Sequence, residues 1–133
     1  MSAGQALPRA RSGKETGRIG ELSAAEFLEA AGYSILIRNW RCPAGELDLV
    51  CAEGNTLVFV EVKSRFVSEL AAAHVLDSVT IRKQVKLRQL VERFVARHRW
   101  AQTYPFVRID VVGVLLEAAD GEVSEIVHVK NAV

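Results

Sequence analysis

Residues 45 to 65 read GELDLVCAEGNTLVFVEVKSR, and no other stretch constrains the fold as strongly. Two apolar runs, Leu47–Cys51 and Leu57–Val62, flank the turn pair Gly54-Asn55, a pattern that predicts a β-hairpin. Carboxylates interrupt both runs, Asp48 in the first and Glu61 in the second, and Lys63 follows Glu61 two residues on. Strand side chains alternate between faces, so Glu61 and Lys63 share a face with Leu57 and Phe59. A two-residue loop pairs Glu53 with Thr56 and sets Asp48 directly opposite Glu61. A loop one residue longer or shorter sends the two carboxylates to opposite faces.

Like charges opposed across a sheet are destabilising. A sequence shaped by folding alone would avoid such a pair among valines and leucines. A divalent cation between the carboxylates removes the repulsion, because hard cations such as Mg²⁺ take oxygen ligands. Lys63 is then placed to neutralise a phosphate or orient a water beside the metal. The competing reading is a solvated surface face on which Lys63 simply pairs with Glu61. The apolar context of the charges favours a site.

Asp48, followed by Glu61-Val62-Lys63 on the next strand, resembles the PD-(D/E)xK signature of restriction-endonuclease-like nucleases. The blocks GRIGELSAAEFLEAAGY, RNWRCPAGELDLV, LVFVEVKSR, RIDVV and IVHVKNAV resemble, in that order, those of the small bacterial YraN family. This resemblance runs from Gly17 to the C-terminus and is weakest across Phe66–Ser78, where relatives carry a Phe-Gly pair that this chain lacks. It implies a fold similar to archaeal Holliday-junction resolvases and a metal-dependent endonuclease hydrolysing phosphodiester bonds in nucleic acid, with branched or structured DNA among the expected substrates. It also implies Mg²⁺ or Mn²⁺ held by Asp48, Glu61 and the Val62 carbonyl, with Lys63 positioning or deprotonating the attacking water. Glu21, the acid of the GRIGE block, is implied to hold an outer-shell water or a second metal.

At 133 residues the chain suffices for one domain with a real core, and a hydrophobic content of 50% with 25% charged residues suits a soluble globular fold. A net charge of +1 does not by itself announce a nucleic-acid partner, but the charges are unevenly spread. Between Ile81 and Arg99, Arg82, Lys83, Lys86, Arg88, Arg93, Arg97 and Arg99 stand against the single acid Glu92. Two distant cysteines and scattered histidines exclude a zinc motif, and Cys51 reads as a reduced core residue. No apolar run reaches the roughly 18 residues of a membrane span. The N-terminus carries no continuous hydrophobic signal core, so a cytoplasmic location is expected.

Residues 1–14 mix Gly, Pro, Arg and Ser and read as a flexible arm, leaving 15–133 as a single nuclease-like domain. Glu15 to Ala31 predicts a helix stopped by Gly32, with Ala24, Phe27, Leu28 and Ala31 as its apolar face. Tyr33–Ile37 predicts a strand, and Arg38-Asn39-Trp40-Arg41 a connection into the hairpin in which Trp40 packs inward. Arg38, Arg41 and Arg65 are candidate phosphate contacts, since a planar guanidinium suits phosphate oxygens. Alanines 71–73 suggest a short helix within Phe66–Ser78, and His74 is assigned no role.

Thr80 to His98 is the clearest helix, with Leu87, Val91, Phe94, Val95 and His98 facing the sheet. Arg82, Lys86, Arg93 and Arg97 line its opposite side, either as a solvated face or as a nucleic-acid-binding stripe. Lys83 and Gln84, in the first turn, are placed to face the site. Arg108–Leu116 and Ile126–Val129 predict two strands around an Asp120-Gly121 turn, and Asp110 reads as an element-terminal or structural acid, since no lysine partner follows it. The order helix, strand, hairpin, helix, strand, strand predicts an α/β/α sandwich around a mixed, roughly five-stranded sheet. The leading function is a Mg²⁺- or Mn²⁺-dependent endonuclease acting on nucleic acid, DNA first, as monomer or homodimer. The rival is a non-cleaving nucleic-acid-binding module of the same fold, and a third reading is a protein-interaction subunit with a vestigial site.

Overall fold

The hairpin forms around Gly54-Asn55 as its turn signal predicts, with Gly54 at φ +59°, a conformation glycine adopts without steric cost. The computed structural model describes residues 13–67, 76–117 and 121–133. The hairpin strands are β2 (Gly45–Glu53) and β3 (Thr56–Phe66), preceded by helix α1 (Gly13–Ala30) and strand β1 (Ser34–Cys42). Helix α2 (Ile81–Arg97) and strands β4 (Phe106–Leu116) and β5 (Val123–Val129) follow. The sheet order is β1-β2-β3-β4-β5, antiparallel throughout except for the β3–β4 pair. A parallel pair needs a long crossover, and α2 lies in the connection from β3 to β4.

The helices cover opposite faces. Ala24, Ala25 and Leu28 of α1 bury against Leu49, Cys51, Val58, Val60, Val112 and Val114. Leu87, Leu90, Val91 and Phe94 of α2 bury against Val50, Leu57, Phe59, Ile109 and Val111. Thr80 caps α2, its hydroxyl accepting from the Lys83 N–H at 3.2 Å. Burial pushes the Cys51 thiol up to about 12, as suits a reduced core cysteine. Among the described residues no helix is long and apolar enough to cross a membrane. The predicted α/β sandwich with a mixed five-stranded sheet is therefore the observed one.

Several boundaries differ from the sequence reading. α1 starts at Gly13, so Lys14 belongs to the helix, and Ala31 is exposed while Ala25 takes its place in the core. Residues 38–41 are not a connection but the second half of β1, with Arg38 beside Leu49 and Trp40 beside Leu47. Sheet pairing overrides the polar composition there, and Trp40 packs edge-on to Phe94 at 5.2 Å. Residues 1–12, alanines 71–73, His74 and Asp120 lie outside the described residues.

Of the two readings of Asp110, the structural acid is the observed one: it sits mid-strand in β4, not at an end, and is fully buried. Arg108 Nε and His128 Nε2 each donate to it at 2.8 Å, and the Asn131 N–H donates at 2.9 Å. Arg108 also reaches the Tyr33 hydroxyl at 2.7 Å. Burial alone would raise the Asp110 pKa, but these donors outweigh it and hold the carboxyl below its usual range. Because the folded value lies below the unfolded one, this stabilisation is complete above the unfolded pKa and fades as pH falls through the folded one. Asp110→Ala leaves Arg108 without its main partner and is expected to cost about 3–5 kcal/mol in urea unfolding at pH 7.

Candidate functional site

β2 and β3 pair regularly from Glu53–Thr56 to Leu49–Val60, and the paired ladder stops there. The predicted register is correct, yet Asp48 and Glu61 fall one step beyond the last pair. Leu47 joins the α2-side core whereas Leu49 joins the α1-side core, so the alternation of faces breaks at Asp48. Across the gap the Val62 N–H donates to Asp48 Oδ2 at 2.8 Å. The Asp48 and Glu61 carboxyl groups lie close enough to share a hydrogen bond when Asp48 is protonated.

Glu61 is only 6% exposed. Its Oε2 faces two ammonium groups, Lys63 Nζ at 3.6 Å and Lys83 Nζ at 3.4 Å. Lys63 comes from the same strand, two residues on, and Lys83 from the first turn of α2, as expected for a residue facing the site. Burial and the Glu61 charge push the Asp48 carboxyl up to about 7, against the opposing pull of the Val62 N–H. Near neutral pH the Asp48 carboxyl is therefore only partly ionised.

A cleft of about 570 Å³ opens over the carboxylates at this end of the sheet. Glu21, Asp48, Glu61, Val62, Lys63, Arg65 and Lys83 all line it, together with Glu46. Glu21 is half-buried; desolvation raises its pKa, while a hydrogen bond from the Asn39 side chain works in the opposite sense. Asn39 is at φ +54°, a left-handed conformation that Asn tolerates better than most residues. This kink in β1 turns its amide towards α1. The sequence reading missed Asn39; an Asn between two arginines within a strand carries no pattern that marks it.

α1 reaches the cleft because residue 20 has no side chain. A Cβ at Gly20 would collide with the Ser64 hydroxyl and lie 3.0 Å from Ser64 Cβ. Arg41 sits on the rim and pairs with Glu46 at 3.0 Å. Arg82, Lys86, Arg93 and Arg97 are exposed on α2 and do not line the cleft.

The donor set suits a hard cation. Two adjacent carboxylates with a raised Asp48 pKa are a repulsion that Lys63 and Lys83 compensate only in part and that a divalent ion would relieve. Among the described residues no group of three or more His, Cys, Asp or Glu side chains converges on one point. Ligation here would therefore combine two carboxylates with main-chain oxygen and water, the pattern Mg²⁺ prefers.

Fold and cleft together define an α/β sandwich protein with paired acids where two central strands part. Residues 20–114 match the model of the uncharacterised protein family UPF0102, and the chain belongs to that family. It is 52% identical over 99 residues to a UPF0102 protein of Beutenbergia cavernae, covering 74% of this chain and 80% of the relative. It is 40% identical over 120 residues to one of Chloroflexus aurantiacus, covering 90% and 93% respectively. Among solved structures, Pyrococcus furiosus SfsA in complex with Ca²⁺ aligns with 88% of this chain and 63% of that one. Its TM-score of 0.31 and identity of 18% are too low to bear on function.

Two consequences are measurable. Gly20→Ala forces α1 off β3 and is expected to lose about 1–3 kcal/mol, with Ser64→Ala in the same chain restoring part of it. Because the folded pKa of Asp48 is raised, its contribution is fully present below the unfolded value and is lost as pH rises towards 7. Asp48→Asn keeps the acceptor for Val62 and removes the charge. Metal-free thermal melts should match wild type near pH 4 and exceed it by roughly 3–6 °C above pH 7.

Proposed function

We propose that this protein is a Mg²⁺- or Mn²⁺-dependent endonuclease of the PD-(D/E)xK type, hydrolysing phosphodiester bonds in nucleic acid, DNA first. The observation that carries the reading is the closeness of Asp48 and Glu61, with Lys63 and Lys83 at the Glu61 carboxylate. In this reading Asp48, Glu61 and the Val62 carbonyl hold the cation, which as a Lewis acid polarises the phosphoryl oxygen and lowers the pKa of bound water. Lys63 orients the attacking water and offsets charge building on the phosphoryl oxygens. Glu21, steadied by Asn39, holds a further water or a second cation. Arg65 and Arg41 contact phosphates near the cut, while Arg82, Lys86, Arg93 and Arg97 hold the backbone along α2.

One observation favours a second reading, a nucleic-acid-binding module of the same fold that does not cleave. Two ammonium groups already neutralise Glu61, so the cleft is partly satisfied by the protein itself. Calorimetric Mn²⁺ titration beside cleavage of duplex, flap, junction and single-stranded substrates separates the two. Glu61→Gln should lose both Mn²⁺ affinity and cleavage. Lys63→Ala should keep or gain Mn²⁺ affinity while cleavage falls by a factor of order ~10². Equal Mn²⁺ binding by wild type and Glu61→Gln would remove the metal from this cleft and leave the binding module as the better account.

A further inference from the structure

A second, smaller pocket of about 80 Å³ adjoins the cleft on the α1 side of the sheet. Glu21 lines both cavities, so they meet at that residue. Two arginines from different elements enclose the small pocket, Arg18 from α1 and Arg38 from β1. Arg18 lies one turn before Leu22, which is 53% exposed on the same pocket. Arg38 stands beside Leu49 on the edge strand. Both guanidinium groups are exposed, and neither forms an ion pair among the described residues.

Exposed arginines that make no ion pair add little to folding, although the Glu21 carboxylate also lines this pocket. Arg41, three residues beyond Arg38 in β1, is the contrast: it pairs with Glu46 at 3.0 Å. The arginine fork matches phosphate oxygens, and a small concave pocket with two forks suits a single phosphodiester group. α2, with its row Arg82, Lys86, Arg93 and Arg97, packs on the other face of the sheet. Asp48 and Glu61 lie at the sheet end between these two basic regions.

We propose that Arg18 and Arg38 form a second phosphate-binding flank, so that one nucleic-acid strand is held on both sides of Asp48 and Glu61. This rests on the proposed nucleic-acid function and specifies the substrate: an interior stretch of polynucleotide, gripped across the sheet end, rather than a strand terminus. A mononucleotide or very short oligonucleotide engages one flank alone.

The test is fluorescence anisotropy with labelled DNA of 4 and roughly 30 nucleotides, single-stranded and duplex, at several salt concentrations. Each phosphate neutralised adds about 0.7–0.9 to the slope of log affinity against log salt. Arg18→Ala with Arg38→Ala should lower that slope on the long DNA by about 1–2 and weaken binding roughly 10–100-fold at low salt. Arg18→Lys with Arg38→Lys should restore most of the slope, which separates charge from folding. Arg93→Ala with Arg97→Ala should lower the slope independently, and the four-fold variant should show the sum. An unchanged slope in the Arg18/Arg38 variant, with a reduced one in the α2 variant, overturns the second flank and leaves the proposed function standing. Absence of binding to every DNA by the wild type overturns both.

Discussion

The cleft end of this molecule depends on two carboxyl groups kept close together inside the protein. Asp48 and Glu61 come together where β2 and β3 stop pairing, and the Val62 N–H is spent on Asp48. Regular pairing one step further would set the acids face to face within the ladder and leave no cleft. Parting the strands moves the repulsion into a cavity, where Lys63, Lys83 and water can reach it. Burial first, and the neighbouring Glu61 charge second, keep the Asp48 pKa raised there.

The molecule contains a control for this argument. Asp110 is more deeply buried than either acid of the cleft, yet its carboxyl is held below its usual range. The difference is supply: Asp110 receives an arginine, a histidine and a main-chain N–H, all at hydrogen-bond distance. Buried acids equipped in this way tie elements together, here β4 to β5 and to the end of α1 through Tyr33. Asp48 receives one N–H and another carboxyl group. An acid left under-supplied beside a cleft is the feature on which the proposed cation site rests.

Access from α1 has an equally concrete cause. The helix approaches β3 at Gly20 closely enough that a methyl group does not fit, and this brings Glu21 over the cleft. Asn39 then steadies Glu21 from the edge strand at the cost of a left-handed backbone. Three elements thus converge on the carboxylate pair, with Lys83 of α2 closing the far side.

The sequence by itself determined the hairpin, its register, both helices, the mixed five-stranded sheet and the grouping of Asp48, Glu61 and Lys63. These follow from local rules: turn chemistry, alternation and helical period each act over a few residues. It misread residues 38–41 as a connection, because a polar edge strand carries no apolar pattern and takes its conformation from the neighbouring strand. It read Asp110 as an element-terminal or structural acid without its partners, since His128 and Asn131 lie on a later strand and turn. The separation of β2 from β3 at Asp48, the Asn39–Glu21 contact and the placing of Arg18 and Arg38 on one pocket were decided only by the tertiary structure. Each depends on how α1 packs across the sheet, and packing between segments distant in sequence has no period for the chain to display.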